Sequence, residues 1–173
     1  MANFSYYKSQ FSSIISNAQW DKSDLKGQTI NGLRQGEWRS YFSNGQLAEV
    51  KTFKNDTLNG VHIEYTPDGK FQIQEAFYMG TKIDTFKLYS NGNLNLLEYR
   101  DSTGMRQGAI KVFVDNSLSQ VGHYRDNKMH GEWKLYNPKN QRLKRIYEYT
   151  NGIKSGEWIY FNSDGDTTKV EEY

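Results

Sequence analysis

The residues of this chain that could do chemistry are few and scattered. Its only imidazoles are His62, His123 and His130. A metal site or a base–nucleophile pair built on them would need two or three to converge, and they fall at unrelated places. Glu37 and Glu157 each precede a tryptophan. They recur with the local sequence as solvated strand positions do, so no glycosidase-like carboxylate pair stands out. Asp164-Gly165-Asp166 resembles part of a calcium loop, but its glycine is misplaced for an EF-hand. The sequence holds no phosphate-binding Gly-rich loop, no G-x-S-x-G and no H-E-x-x-H. It has no cysteine, which excludes disulfides and Cys-built zinc sites. No catalytic, metal or cofactor-binding residue is expected, and the chain reads as a non-enzyme. What it offers instead is aromatic area and a basic cluster, Lys139, Arg142, Lys144 and Arg145, which are means of binding.

Those side chains sit in a sequence of 173 residues with a formal charge of +2. Apolar residues make up only 36%, yet aromatics reach 15%, with 13 Tyr, 9 Phe and 4 Trp. A thick aliphatic core is therefore not available, whereas a thin, aromatic-rich structure is.

A period near 24 residues organises the chain. Gly36, Gly60, Asp84, Gly108, Gly131 and Gly156 anchor six copies. Two residues after each anchor stand Trp38, His62, Phe86, Ile110, Trp133 and Trp158. Five after it stand Tyr41, Tyr65, Tyr89, Phe113, Tyr136 and Phe161, aromatic in every copy. A turn follows, such as Asn44-Gly45, Asn91-Gly92, Asn116-Ser117 or Asp164-Gly165, made of residues that accept positive φ cheaply. A second strand then closes on Phe53, Phe77, Tyr99, Tyr124, Tyr149 or Tyr173. The chain stops on the sixth of these, so the array is expected to be complete. No connection is long enough for a crossover helix, so neighbouring strands must be antiparallel. The expected fold is all-β: an elongated, twisted antiparallel meander of about six stacked 24-residue hairpins over residues 27–173. The anchor glycines are expected to admit a neighbouring aromatic ring, and Asp84 is expected to distort the third copy. The two-after and five-after columns differ by an odd number, which places them on opposite faces of the sheet.

Residues 1–26 differ. Phe4, Tyr7, Phe11, Ile14, Ile15 and Ala18 fall at helical spacing, which predicts one amphipathic α-helix over residues 3–18. It is expected to cap the first open edge of the sheet, with Asp21 to Lys26 as a polar link. A membrane-surface role needs a basic polar face, and this segment has only Lys8. There is no signal-peptide pattern and no apolar run of membrane-spanning length, so a cytoplasmic location is expected.

The stretches GEWRSYFSNGQL (36–47), GVHIEYTPDGKF (60–71) and YTNGIKSGEWIYF (149–161) resemble the MORN repeat in its bacterial variant form, as does Lys128-Met129-His130-Gly131. The resemblance covers roughly residues 29–173. It departs from the family pattern at Asp84, His62 and Ile110, and at a longer return loop over residues 101–107. It implies an elongated β scaffold that binds protein and carries no catalysis of its own. Standalone members are often labelled antitoxins, which implies immunity-like neutralisation of a partner protein. Two alternatives remain open: a structural subunit or adaptor of a larger assembly, including a homo-oligomer, and a peripheral binder of anionic lipid.

Charge bears on the lipid alternative. Residues 100–160 hold eleven Lys/Arg against six Asp/Glu. The basic cluster is read as a solvated edge, a dock for an acidic protein, or a weak contact for lipid phosphates. Nucleic acid is not an expected partner, because net charge is small and the sheet claims the aromatics. The expected partner-binding residues are the five-after aromatics together with Lys139, Arg142, Lys144 and Arg145.

Overall fold

The computed structural model describes residues 21–173. The helix expected over residues 3–18 lies outside them. Thirteen strands form one antiparallel sheet in sequence order, each paired only with its neighbours in the chain. They are β1 (Lys26–Ile30), β2 (Leu33–Tyr41), β3 (Leu47–Lys54), β4 (Thr57–Tyr65), β5 (Phe71–Tyr78), β6 (Thr81–Ser90) and β7 (Asn93–Arg100). There follow β8 (Gly108–Val114), β9 (Ser117–Arg125), β10 (Lys128–Tyr136), β11 (Leu143–Thr150), β12 (Ile153–Phe161) and β13 (Thr167–Glu172). Twelve of these are the six expected hairpins. β1 is an additional strand that the repeat frame did not predict. Its five residues are all exposed and carry no closing aromatic.

Turn chemistry explains the meander. Asn31-Gly32, Asn91-Gly92 and Asn151-Gly152 place both central residues at positive φ, the geometry whose twist matches paired strands. Asn55-Asp56, Asp115-Asn116 and Asp126-Asn127 do the same without glycine, because Asn and Asp tolerate this region. The turn expected at Asn116-Ser117 thus falls one residue earlier.

Two register slips recur in the repeat. Beside the anchor, Phe53 faces Leu58 while Lys51 faces His62, so two steps of β3 span four of β4. The same slip occurs between β5 and β6, β9 and β10, and β11 and β12. At the five-after aromatic a single residue is skipped: Ser40 faces Glu49, but Tyr41 faces Leu47. Bulges of this kind bend a strand and re-aim its side chains.

The anchor's role differs from the expectation. Nothing lies within 4 Å of where a Cβ would stand on Gly36, Gly108 or Gly131, so no ring approaches them. Their φ values of 67, 70 and 70° give the physical reason: the bulge needs a left-handed residue. Rings do cover glycines elsewhere. Trp38 lies over Gly27, and Trp133 lies over Gly122. Asp84 causes no distortion. It adopts φ 59° like its glycine counterparts, and its Oδ1 accepts a 3.0 Å hydrogen bond from the Thr85 hydroxyl. Asp84→Gly is therefore expected to leave stability unchanged or raise it by up to about 1 kcal/mol, whereas Asp84→Val should cost about 1–2 kcal/mol. Urea midpoints measure this, and equal losses in both variants would refute the φ requirement.

Candidate functional site

The sheet has two unlike faces. One carries the two-after column and the closing aromatics, and we term it the core face. At its C-terminal end it is aromatic: Trp133 is fully buried, and Tyr124 meets it edge-on at 5.4 Å. Tyr147, Tyr149, Trp158 and Tyr173 continue the contact chain with centroids 5.1–5.9 Å apart. Trp158 Nε1 donates to the Glu148 carbonyl at 3.1 Å, and Trp38 Nε1 donates to Gln28 at 3.2 Å, so the column also pins the bulges. Burial pushes the Tyr124 and Tyr147 hydroxyls up to about 12, so neither supplies a phenolate.

In β3–β5 the same face is ionic. His62 stands where the repeat elsewhere places Trp, Phe or Ile, and a buried imidazole needs polar partners. Cross-strand neighbours provide them, because Lys51 and Glu75 lie opposite His62 and Glu64 lies opposite Glu49. His62 Nδ1 is 2.8 Å from Glu75 Oε1. Its Nε2 is 2.9 Å from Glu49 Oε1 and 3.2 Å from Glu64 Oε1. Lys51 Nζ reaches Glu49 at 2.6 Å, and Lys82 pairs with the far oxygen of Glu75. Burial opposes the imidazolium, but the three carboxylates outweigh it and raise the His62 pKa to about 10. Burial likewise opposes the Glu49 charge, yet bonds from His62 and Lys51 bring it down to about 2. Against the same opposition, His62 and Lys82 also hold Glu75 below its ordinary value.

The pH dependence follows. The His62 contribution is fully present below its ordinary 6.5 and is lost as pH rises through about 10. The Glu49 contribution is present above 4.5 and is lost as pH falls through about 2. In metal-free buffer the melting temperature should plateau between roughly pH 4.5 and 6.5 and decline towards pH 10. The alkaline decline should vanish in a His62→Gln variant. A wild-type melting temperature that stays flat from pH 6.5 to 10 would contradict the cluster.

Sequence reasoning missed this assembly. It looked for histidines that converge, whereas His62 meets carboxylates from three strands. It also treated glutamates as solvated by default. Register was the available signal, since a polar residue in a buried column requires partners directly across the strand. Two histidines do approach each other, contrary to their separate positions in the repeat: His130 lies opposite His123 in the β9–β10 register.

The opposite face carries the five-after column. Tyr41 and Tyr65 line a groove of about 430 Å³ with Leu47, Val50, Val61 and Ile63, rimmed by Glu37 and Arg39. Val50 is buried as its floor, while Tyr41 and Val61 are 44% and 45% exposed. A smaller hollow of about 160 Å³ shares Val61 and Ile63 and extends towards Ala76 and Lys87. Tyr65 stacks on Phe71 at 5.2 Å, and Phe71 meets Tyr89 at 5.7 Å. The Tyr89 hydroxyl donates to Gln74 at 3.2 Å. Phe113, Tyr136 and Phe161 are half-buried further along. The structure thus brings Tyr41, Tyr65 and Tyr89 into one neighbourhood and leaves the other three apart from it.

It also separates the basic residues. Lys139 sits exposed in the β10–β11 turn. Arg142 bonds the Ser163 carbonyl and lies 3.8 Å from Asp164 in the next turn. Lys144 is exposed at a bulge, the residue skipped between Leu143 and Arg145. Arg145 lies on the core face over the Tyr160 ring, 4.5 Å from its centroid. One of the four is therefore committed to the core face.

A single-layer antiparallel meander with a core column on one face and an aromatic-lined groove on the other defines a β-hairpin repeat protein. Residues 34–55, which make up β2, β3 and their turn, match the family model of the MORN repeat variant. That hairpin is a MORN-repeat variant, and such repeats are generally associated with protein or lipid binding. No curated protein matches it. No helix among the described residues is long and apolar enough to cross a membrane.

Proposed function

We propose that the chain is a non-catalytic interaction module that holds another protein against the groove between β2 and β4. The observation that carries this reading is the exposed apolar wall, Tyr41 and Val61 beside Ile63 and Tyr65, on the face that the core does not use. Large rigid rings beside branched aliphatics, rimmed by charge, are the composition of interface centres. Neutralisation of a partner in the manner of an immunity protein is the specific version we favour. The ionic pole of the core face has no role in that contact. Three carboxylates around His62 hold it as an imidazolium, which has no lone pair to act as a base at neutral pH. The lipid alternative has a weaker footing, because Arg145 is turned away from Lys144 and the basic cluster makes no single face.

Affinity capture from source cells, with the wild-type chain beside a Val61→Glu variant, tests the proposal. A stoichiometric protein retained by the wild type and released by the variant is the expected result. A partner held equally by both, or capture of anionic lipid alone, would overturn it.

A further inference from the structure

We propose that Glu49, His62 and Glu64 form a binding site for a first-row divalent metal ion, with Zn²⁺ the best match to the donor set. The site lies on the core face, away from the groove, and does not depend on the interaction reading. The His62 tautomer is set by Glu75. Glu75 Oε1 lies 2.8 Å from His62 Nδ1 and accepts its hydrogen, which turns Nε2 towards two carboxylates. A lone pair facing two anions is repulsive, so a positive charge must sit at Nε2, as a proton or as a metal.

The spacing suits the metal. Nε2 lies 2.9 and 3.2 Å from the two carboxylate oxygens, and the three ligand atoms fall within 4.8 Å of one another. A tetrahedral ion with bonds of about 2.0–2.1 Å to N and O needs ligand atoms about 3.3 Å apart. One N–H can point well at only one of the two oxygens, whereas an ion satisfies both. Glu75 then plays the part of the carboxylate that orients a ligating histidine from behind.

A second observation points to the same place. Ser40 is directly opposite Glu49 on the core face, 1% exposed, and its Oγ has no hydrogen-bond partner. That leaves a buried neutral oxygen beside the ligand set. Binding exchanges the Nε2 proton for the ion and releases it to solvent. Lys51, 2.6 Å from Glu49 Oε1, is the group the ion must displace, and its partly exposed chain lets it swing to water.

The test is titration of the chelator-stripped full chain with Zn²⁺ by calorimetry and with Co²⁺ by visible absorption. One ion per chain is expected, with Co²⁺ giving tetrahedral bands. His62→Gln should abolish binding. Glu64→Gln, at a half-buried position that the fold tolerates, should weaken it at least about 10-fold, and Glu75→Gln about 10–100-fold. Circular dichroism verifies that each variant is folded. No binding by the folded wild type would overturn the proposal. So would binding that survives Glu64→Gln and disappears with His123→Gln, because the ion would then sit on the His123–His130 pair.

Discussion

Replacing Trp133 by alanine is expected to cost about 3–5 kcal/mol, a large share of the 5–15 kcal/mol that holds a domain together. Trp133 is fully buried between Tyr124, which meets it edge-on, and Tyr147, which stacks on it at 6.4 Å. It also covers Gly122 so closely that a Cβ there would collide with the indole. Gly122→Ala alone should overpack the site by about 1–3 kcal/mol. In the double variant the added methyl falls into the space the indole has left, so the combined loss should be smaller than the sum. Equilibrium urea unfolding of the four proteins reads the cycle. Strict additivity would show that the ring and the glycine do not share a site. In a repeat sheet each hairpin contacts only its neighbours, so hydrogen exchange should accelerate most in β9–β11.

The second large effect is at the other pole of the core face. His62→Ala should cost about 3–5 kcal/mol, because it removes the cation that buried Glu49 and Glu75 share and leaves each carboxylate with one partly exposed lysine. Cavity formation contributes, but charge is the greater part. Adding Glu49→Gln and Glu75→Gln to the alanine variant should therefore restore stability, although each removes a further wild-type group. If the triple variant is less stable than His62→Ala, packing rather than charge governs the site. Lys51 and Lys82, both partly exposed, can follow their alkyl chains to water once the carboxylates are neutral.

Much of this architecture could be read from residue order. The 24-residue spacing, the Asn-Gly turns and the closing aromatics yield the hairpins and their antiparallel order. The odd offset between the two aromatic columns correctly separates the faces, but alternation alone cannot say which face is buried. Burial answers that, with Trp133 and Trp158 inside and Tyr41 at the groove. β1 escaped notice because Lys26–Ile30 carries none of the repeat's aromatic marks and pairs through backbone groups. The anchor glycines were misread because a glycine can serve close approach or positive φ, and only backbone angles distinguish them. Asp84 shows which applies, since an aspartate can adopt φ 59° but could not admit a ring. The His62 cluster needed the register slip beside Gly60, which sets the face of every residue after it.

In the function proposed above the two faces divide the work, one holding the fold together and the groove face binding protein. The affinity of the captured partner for two matched variants distinguishes them. Val61→Glu places a charge on the groove wall, and Lys144→Glu reverses one at the exposed bulge of β11. We expect Val61→Glu to weaken binding about 30-fold or more, as loss of a buried contact centre does, and Lys144→Glu to change it by less than about 3-fold. Loss of binding with Lys144→Glu, and full affinity with Val61→Glu, would contradict the account and move the interaction to the basic end of the sheet.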